Sequence, residues 1–434
     1  MKNPKQLSLL LIVFISIFSF SACKKDKCIQ TVTYKIYEPV YMSYEDLRQA
    51  VKSEPARALK KPGKIYMKGN YVFINEIDKG IHVIDNSNPS APQNIAFINI
   101  PGNIDIAAIG NVLYADSYVD LLTLDISNPS SISVLKRNEN VLPYRVFTNG
   151  TYADPQQGVV VDWLEKEVTE EMEMDCSGGS WWGGGIMEDA AVNVSSPQSG
   201  NGFNSGANPR TISSGIGGSM ARFTIWGTML YVVDNSSLLL FDISQNTNPL
   251  AQGSTLIGRN IETIFPYKNH LFIGSSNGMF IYNIDNPNSP TFVSSYEHVT
   301  ACDPVVVDDN YAYVTLRSGN DCNNVIDQLE VINIQNLSNP RLVATYPMHN
   351  PHGLGIDEST LFICDGSEGL KVFNASNVLN IANNQIAHFR NIQAFDVIPY
   401  GNKKLLMIGN NGLYQYDYNN IENITLLSVL PVTR

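Results

Sequence analysis

Positive charge is in short supply: 29 Lys and Arg stand against 41 Asp and Glu in 434 residues, a net charge of −12. Gripping a nucleic-acid backbone needs concentrated basic residues, so nucleic acid is excluded as a partner class. Cysteine is sparse too, at six residues, and no two stand in a C-x-x-C spacing, which removes the common zinc ligand sets. HExxH is absent, no Asp/Asn–Gly loop has calcium-hand spacing, and "GIGG" and "WWGGG" lack the strand–helix context of a phosphate loop. No cofactor and no metal is expected. Long apolar segments of 3.6-residue period are also missing, which argues against a helical solenoid. What remains is a chain that is 44% hydrophobic, enough for a large core and too much for wholesale disorder.

An apolar run from Leu7 to Phe20 follows Lys2 and Lys5 and ends in "FSAC" at Cys23. A basic start, a short apolar stretch and small residues before a cut make an export signal over residues 1–22. The run is shorter than the ~20 residues that span a bilayer as a helix. "FSAC" resembles the lipobox of bacterial lipoproteins, with Phe20 where Leu is commonest, and the resemblance implies acylation of Cys23. The other reading is an ordinary cleaved signal with a chance Cys. Lys24 rather than Asp follows the Cys, which by the same resemblance argues against inner-membrane retention. The expected location is the outer membrane or surface of a Gram-negative bacterium, with the lipid holding the chain to the membrane.

Apolar runs ending in Asp or Asn recur at Asp85, Asp125, Asp242, Asn283, Asn333, Asn374 and Asp417, spaced by 40, 117, 41, 50, 41 and 43 residues. One interval holds an insertion; the rest share a period near that of a propeller blade. Within a unit, as in "IDIAAIG", "NVLYAD", "LLTLDI" and "SISVLKR", four short runs rich in β-branched and aromatic residues are split by turn residues. The expected fold is therefore all-β, a β-propeller of four-stranded blades beginning near residues 63, 104, 220, 261, 303, 354 and 394. Seven blades fit the spacing, and six or eight stay open because of the insertion. "GIHVIDNSNPSAPQ", "LLTLDISNPSS" and "LEVINIQNLSNPRLV" resemble the LVIVD repeat of bacterial β-propeller lipoproteins. That resemblance implies the fold and an exported location, and no particular chemistry.

Two segments fall outside the repeat. Residues 23–62 hold a strand-like "TVTYKIYEPVYMS" and a short helix capped by Ser43 with Asp46 three residues on. Residues 137–219 form the insertion in the 63–434 propeller: "GVVVDWLEKEVTEEMEM" alternates like a strand, and 175–219 is Gly/Ser/Asn-rich, expected as a mobile loop.

With each blade's first strand innermost, the Asn-Pro corners share one face, called the bottom, with the first turns. The top carries the second-to-third loops and the inter-blade linkers. Unusual residues collect there: Asp105, Asp116, Arg222, Glu262, Arg317 and Asp396 are candidate partner-binding side chains. Cys302 and Cys322 fall in top-face segments of one blade and form the candidate disulfide, the alternative being two free thiols. In "MHNPHG", His349 and His352, with Asp303 and Asp365 on neighbouring blades, are candidates for acid–base work, against a plain role in the turn. Trp181 and Trp182 can stack on sugar rings or fold over the propeller as a lid. The leading expectation is an envelope module that binds or scaffolds a protein or glycan partner through its top-face loops. The rival is an envelope hydrolase or lyase using the His and carboxylate set.

Overall fold

The computed structural model describes residues 27–145, 153–175, 214–297, 304–318 and 326–433. The chain divides into two units. The described part of the smaller is a two-stranded ribbon between Lys27–Met42 and Val159–Asp175, so the alternating stretch of the insertion pairs with the N-terminal strand. Lys35 and Glu165 form an ion pair on it at 2.6 Å.

The larger unit is a ring of seven four-stranded antiparallel blades: residues 62–99, 106–138, 223–256, 261–297, 305–347, 354–389 and 394–431, numbered here blade 1 to blade 7. Each blade is continuous in sequence, and each observed start lies within three residues of the expected one. Second strands such as Val112–Ser117 are buried along their whole length because each sheet is sandwiched between two others. Outer strands such as Leu250–Leu256 face water. Apolar side chains fill the seams between blades; Ile65, Val72 and Ile74 of blade 1, for example, pack against Ile398, Leu406 and Ile408 of blade 7. The ring closes there without an exchanged strand. Leu59, just before blade 1, bridges Val432, just after blade 7, and the Thr433 amide donates to the Leu59 carbonyl at 2.9 Å. Ser43 caps the helix Tyr44–Gln49 as expected, accepting from the Asp46 amide at 3.1 Å, and Leu47 is buried against Tyr118 and Val159.

The sheet of blade 1 has six strands. Lys52–Pro55 is added outside the fourth strand, and Ile216–Gly217 is added at the inner edge, beside Tyr66 and Met67. The second addition corrects the expectation of a mobile loop running to residue 219. Residues 176–213 lie outside the described residues, but 214–219 are held in the centre of the ring.

The recurring corner has a specific geometry. In blade 1 the Asp85 side chain accepts from the Ser87 amide at 2.9 Å, and Asn88 accepts from the Ser90 amide at 3.1 Å: two Asx-turns in succession. The first turn recurs in all seven blades. The second recurs in all but blade 3, where Gln245 stands in for Asn and only the backbone turn remains. A β-bulge on the fourth strand follows every corner and adds twist at that point. The carbonyl just after the second Asx position is then turned to the preceding blade. Pro89, Asn246, Pro287, Leu337 and Val378 accept there from Ser428, Tyr114, Tyr231, Ser294 and Tyr346 respectively, at 2.5–2.7 Å. The Asn-Pro motif is thus a clasp between blades.

Replacing Tyr231 by Phe keeps the buried ring and leaves the Pro287 carbonyl without its donor. The expected cost is about 1 kcal/mol, read as a lower melting temperature in calorimetry with an unchanged far-UV spectrum.

Candidate functional site

The centre of the ring is occupied by residues 214–221. Ser214 bridges Ile109, and the Gly215 amide donates to Ala108 of blade 2 at 2.9 Å. Ile216–Gly217 pairs with blade 1. The Ser219 hydroxyl accepts from the Leu354 amide of blade 6 at 2.8 Å, and the Ala221 carbonyl accepts from Ile264 of blade 4 at 2.8 Å. Gly218 lies on the Asp396 carboxyl of blade 7: a methyl group there would fall 1.9 Å from Oδ2, and one on Gly353 would fall 2.3 Å from Oδ1. Glycine is demanded at both places by the closeness of approach, not by turn conformation. This segment is an axial plug, in contact with blades 1, 2, 4, 6 and 7.

Counting back five residues from the first turn of each blade reaches Lys64, Asp105, Arg222, Thr263, Pro304, Gly353 and Asp396. These are equivalent positions at the top ends of the seven inner strands, one per blade. Four of them join Met220 of the plug, Ile104, Asn235, Glu262, Arg317, His352 and other residues around a cavity of about 370 Å³.

Charge is arranged in layers below and around this cavity. The Lys64 ammonium meets Asp105 Oδ2 at 3.0 Å, and Asp105 also accepts the backbone amides of Ile106 and Arg222. Burial lowers the Lys64 pKa, Asp105 opposes the shift and Arg222 adds to it. Asp116 lies behind: its Oδ1 accepts from the Ile104 and Asp105 amides at 2.8 and 3.0 Å, so it shapes the linker, and burial raises its pKa. Asp396 accepts the Val397 amide at 2.9 Å and is pushed up to about 7, chiefly by burial. The Arg317 guanidinium lies 3.2 Å from His352 Nδ1. Burial first, then that positive charge, hold His352 down at about 4, so the ring is neutral at ordinary pH.

Of the three acid–base candidates among the described residues, only His352 lines the cavity; His349 does not. Asp365 is fully buried and engaged by the His349 and Asn350 amides at 3.0 and 2.8 Å and by Lys371 Nζ at 2.5 Å. Asp303 lies outside the described residues, as do Trp181, Trp182, Cys23, Cys302 and Cys322. Cys364 is a free, buried thiol. Among the described residues no three His, Cys, Asp or Glu are grouped as metal ligands would be. "GSSNG", Gly274–Gly278, has G-x-S-x-G spacing but sits on the turn of a β-hairpin rather than on a strand–helix elbow. Lys64 is the site residue that inspection of the sequence passes over; aligning the units on their first turns would have found it.

A closed seven-bladed ring with a plugged axis and a polar mouth defines the class, a β-propeller. More particularly, the chain carries the LVIVD repeat. That family model matches residues 62–97, 103–138, 217–256 and 260–298, which are blades 1 to 4. Blades 5 to 7 build the same corner from sequences the repeat model does not match. No curated protein matches the chain. Among solved structures, the periplasmic gluconolactonase of Pseudomonas aeruginosa is similar over 88% of this chain and 96% of its own, at 9% identity and a TM-score of 0.53. A Lactobacillus plantarum protein covers 83% and 96% at 10% identity and 0.48. A functionally unknown protein from Desulfotomaculum acetoxidans covers 86% and 97% at 11% identity and 0.44. At such identities the likeness is one of fold.

The shifted groups give stability a definite pH dependence. An unfolded Asp titrates near ~3.9, whereas folded Asp396 titrates at about 7. Between those values the folded state holds a proton the unfolded chain lacks, so this group's contribution is lost as pH rises from about 4 to about 7. His352 acts oppositely, its contribution being lost as pH falls from about 6.5 to about 4. Asp396→Asn should therefore gain in melting temperature over the natural protein as pH is raised through the first window. A pH-independent difference between the two would show that the carboxyl is not held protonated.

Proposed function

We propose that this propeller is a lipid-anchored module of the cell envelope that binds a glycan in the mouth of its plugged channel. The observation carrying this reading is the cavity itself. Met220 of the plug forms part of its wall, and the rest of the wall comes from several blades, with charged and polar side chains set among apolar ones. Its size, about 370 Å³, is at the small end for ligand pockets, roughly 300–1,000 Å³. That suits one or two sugar rings and not an inserted protein segment. The anchor rests on the export signal and the "FSAC" pattern at Cys23. An envelope hydrolase or lyase would need a second titrating group beside His352; His349 does not line the cavity and Asp365 is held by two amides and Lys371, which leaves Glu262 as the carboxylate on the wall among the described residues.

Two substitutions test the proposal. Met220→Trp fills the mouth from the plug side and should weaken retention on immobilised envelope polysaccharide at least tenfold while the far-UV spectrum stays the same. Unchanged retention would remove the cavity from the account. Cys23→Ser should move the protein from the membrane fraction to the soluble one and abolish labelling by radioactive palmitate; continued labelling would refute the anchor.

A further inference from the structure

Among the described residues, three basic ones line the cavity, Lys64, Arg222 and Arg317, together with one carboxylate residue, Glu262. The Asp105 carboxylate is occupied by Lys64 and by two backbone amides. Arg317 is engaged with His352 at 3.2 Å. Arg222 is different. Its backbone amide is held by Asp105 and its carbonyl accepts from Val233, but its guanidinium has no carboxylate or other hydrogen-bond partner among the described residues. A planar fork of five N–H donors on a residue that lines the cavity is matched by a carboxylate, which it grips with two parallel bonds.

The rest of the wall narrows the choice of anion. Glu262, within electrostatic reach of Arg317, and Asn235 also line the wall, and carboxylate and amide groups are partners for hydroxyls. A phosphate dianion would bring a second negative charge towards Glu262, and like charges in a confined site repel. We infer that the ligand is an acidic sugar, a polyhydroxylated ring bearing one carboxylate, whose carboxylate sits on Arg222 and whose hydroxyls meet the polar groups of the rest of the wall. The inference rests on the glycan-binding reading and adds the ligand class. The acidic surface of the whole chain, net −12, makes this basic mouth a local exception, so selection for the anion occurs in the pocket and not by long-range attraction.

The test is titration calorimetry on the detergent-solubilised full-length protein with glucuronate, galacturonate, glucose and inorganic phosphate. One or both uronates should bind at least tenfold more tightly than glucose and than phosphate. Arg222→Gln should weaken uronate binding at least tenfold with the melting temperature of the free protein unchanged, because that guanidinium supports nothing else. Equal binding of glucose and glucuronate overturns the inference, as does phosphate binding as tightly as either uronate, or Arg222→Gln retaining full affinity. If neutral sugars bind and Met220→Trp blocks them, the cavity remains a glycan site and only the acidic class is lost. If no sugar binds and Met220→Trp leaves polysaccharide retention untouched, both readings fail.

Discussion

The hydrogen bond from one blade to the corner of the next is the contact on which the ring depends. A four-stranded antiparallel sheet has no intrinsic reason to stop at one angle to its neighbour, since apolar seams tolerate sliding. The corner removes that freedom. Two Asx-turns and a bulge fix the path of the chain after the third strand, and that path aims one carbonyl at a hydroxyl on the preceding blade. The bond is short-range and directional, so it sets the register of the seam that the apolar side chains then fill. Pro at positions 89 and 287 assists by ending the ladder just where the carbonyl must turn outward.

The same regularity explains why function cannot reside in the motif. A feature whose first turn and bulge recur in all seven blades carries little information about a ligand that occupies one place. Asymmetry enters at the axis, where seven equivalent positions hold six different residue types, only Asp recurring, at Asp105 and Asp396, and where one segment from between blades 2 and 3 crosses the centre. The scaffold is symmetric at the bottom and individual at the top.

How much of this the amino-acid sequence discloses depends on the kind of constraint. The blade period, the four runs per unit and the blade boundaries are legible because each unit repeats its own turn chemistry, and seven copies reinforce one another. The Ser43 cap is legible for the same local reason. The plug is not legible. "SSGIGGSM" has the composition of a loose linker, and its partners, Tyr66, Ala108, Leu354 and Asp396, are scattered through the chain. Composition reports what glycine permits, and only tertiary contact shows when it is required for close approach. His349 and His352 mislead in the opposite way. They are neighbours in sequence, but the bonds of the His349 and Asn350 amides to Asp365 shape the linker so that only His352 comes to the cavity. Lys64 escapes notice because a lone Lys after Pro62 and Gly63 looks like a solvated turn until the units are aligned on their first turns.

The axial ring also bears on why the charges are there. If its residues served only to hold the plug, small or apolar side chains would suffice, and Gly353 and Pro304 show that such residues are accommodated. Burying Lys64, Asp105 and Asp396 near one another instead costs desolvation that pairing alone seldom recovers in full, and the rise of Asp396 to about 7 records that cost. A chain under pressure for stability alone would gain from replacing this arc with hydrophobic packing. The arc lies on one side of the ring, next to the only ring guanidinium, that of Arg222, and beneath an open cavity. Of these charges Lys64 lines the cavity beside Arg222, with Asp105 behind it as its partner; a recognition role at the mouth of the plugged axis, as proposed, would account for keeping charge there that folding alone does not require.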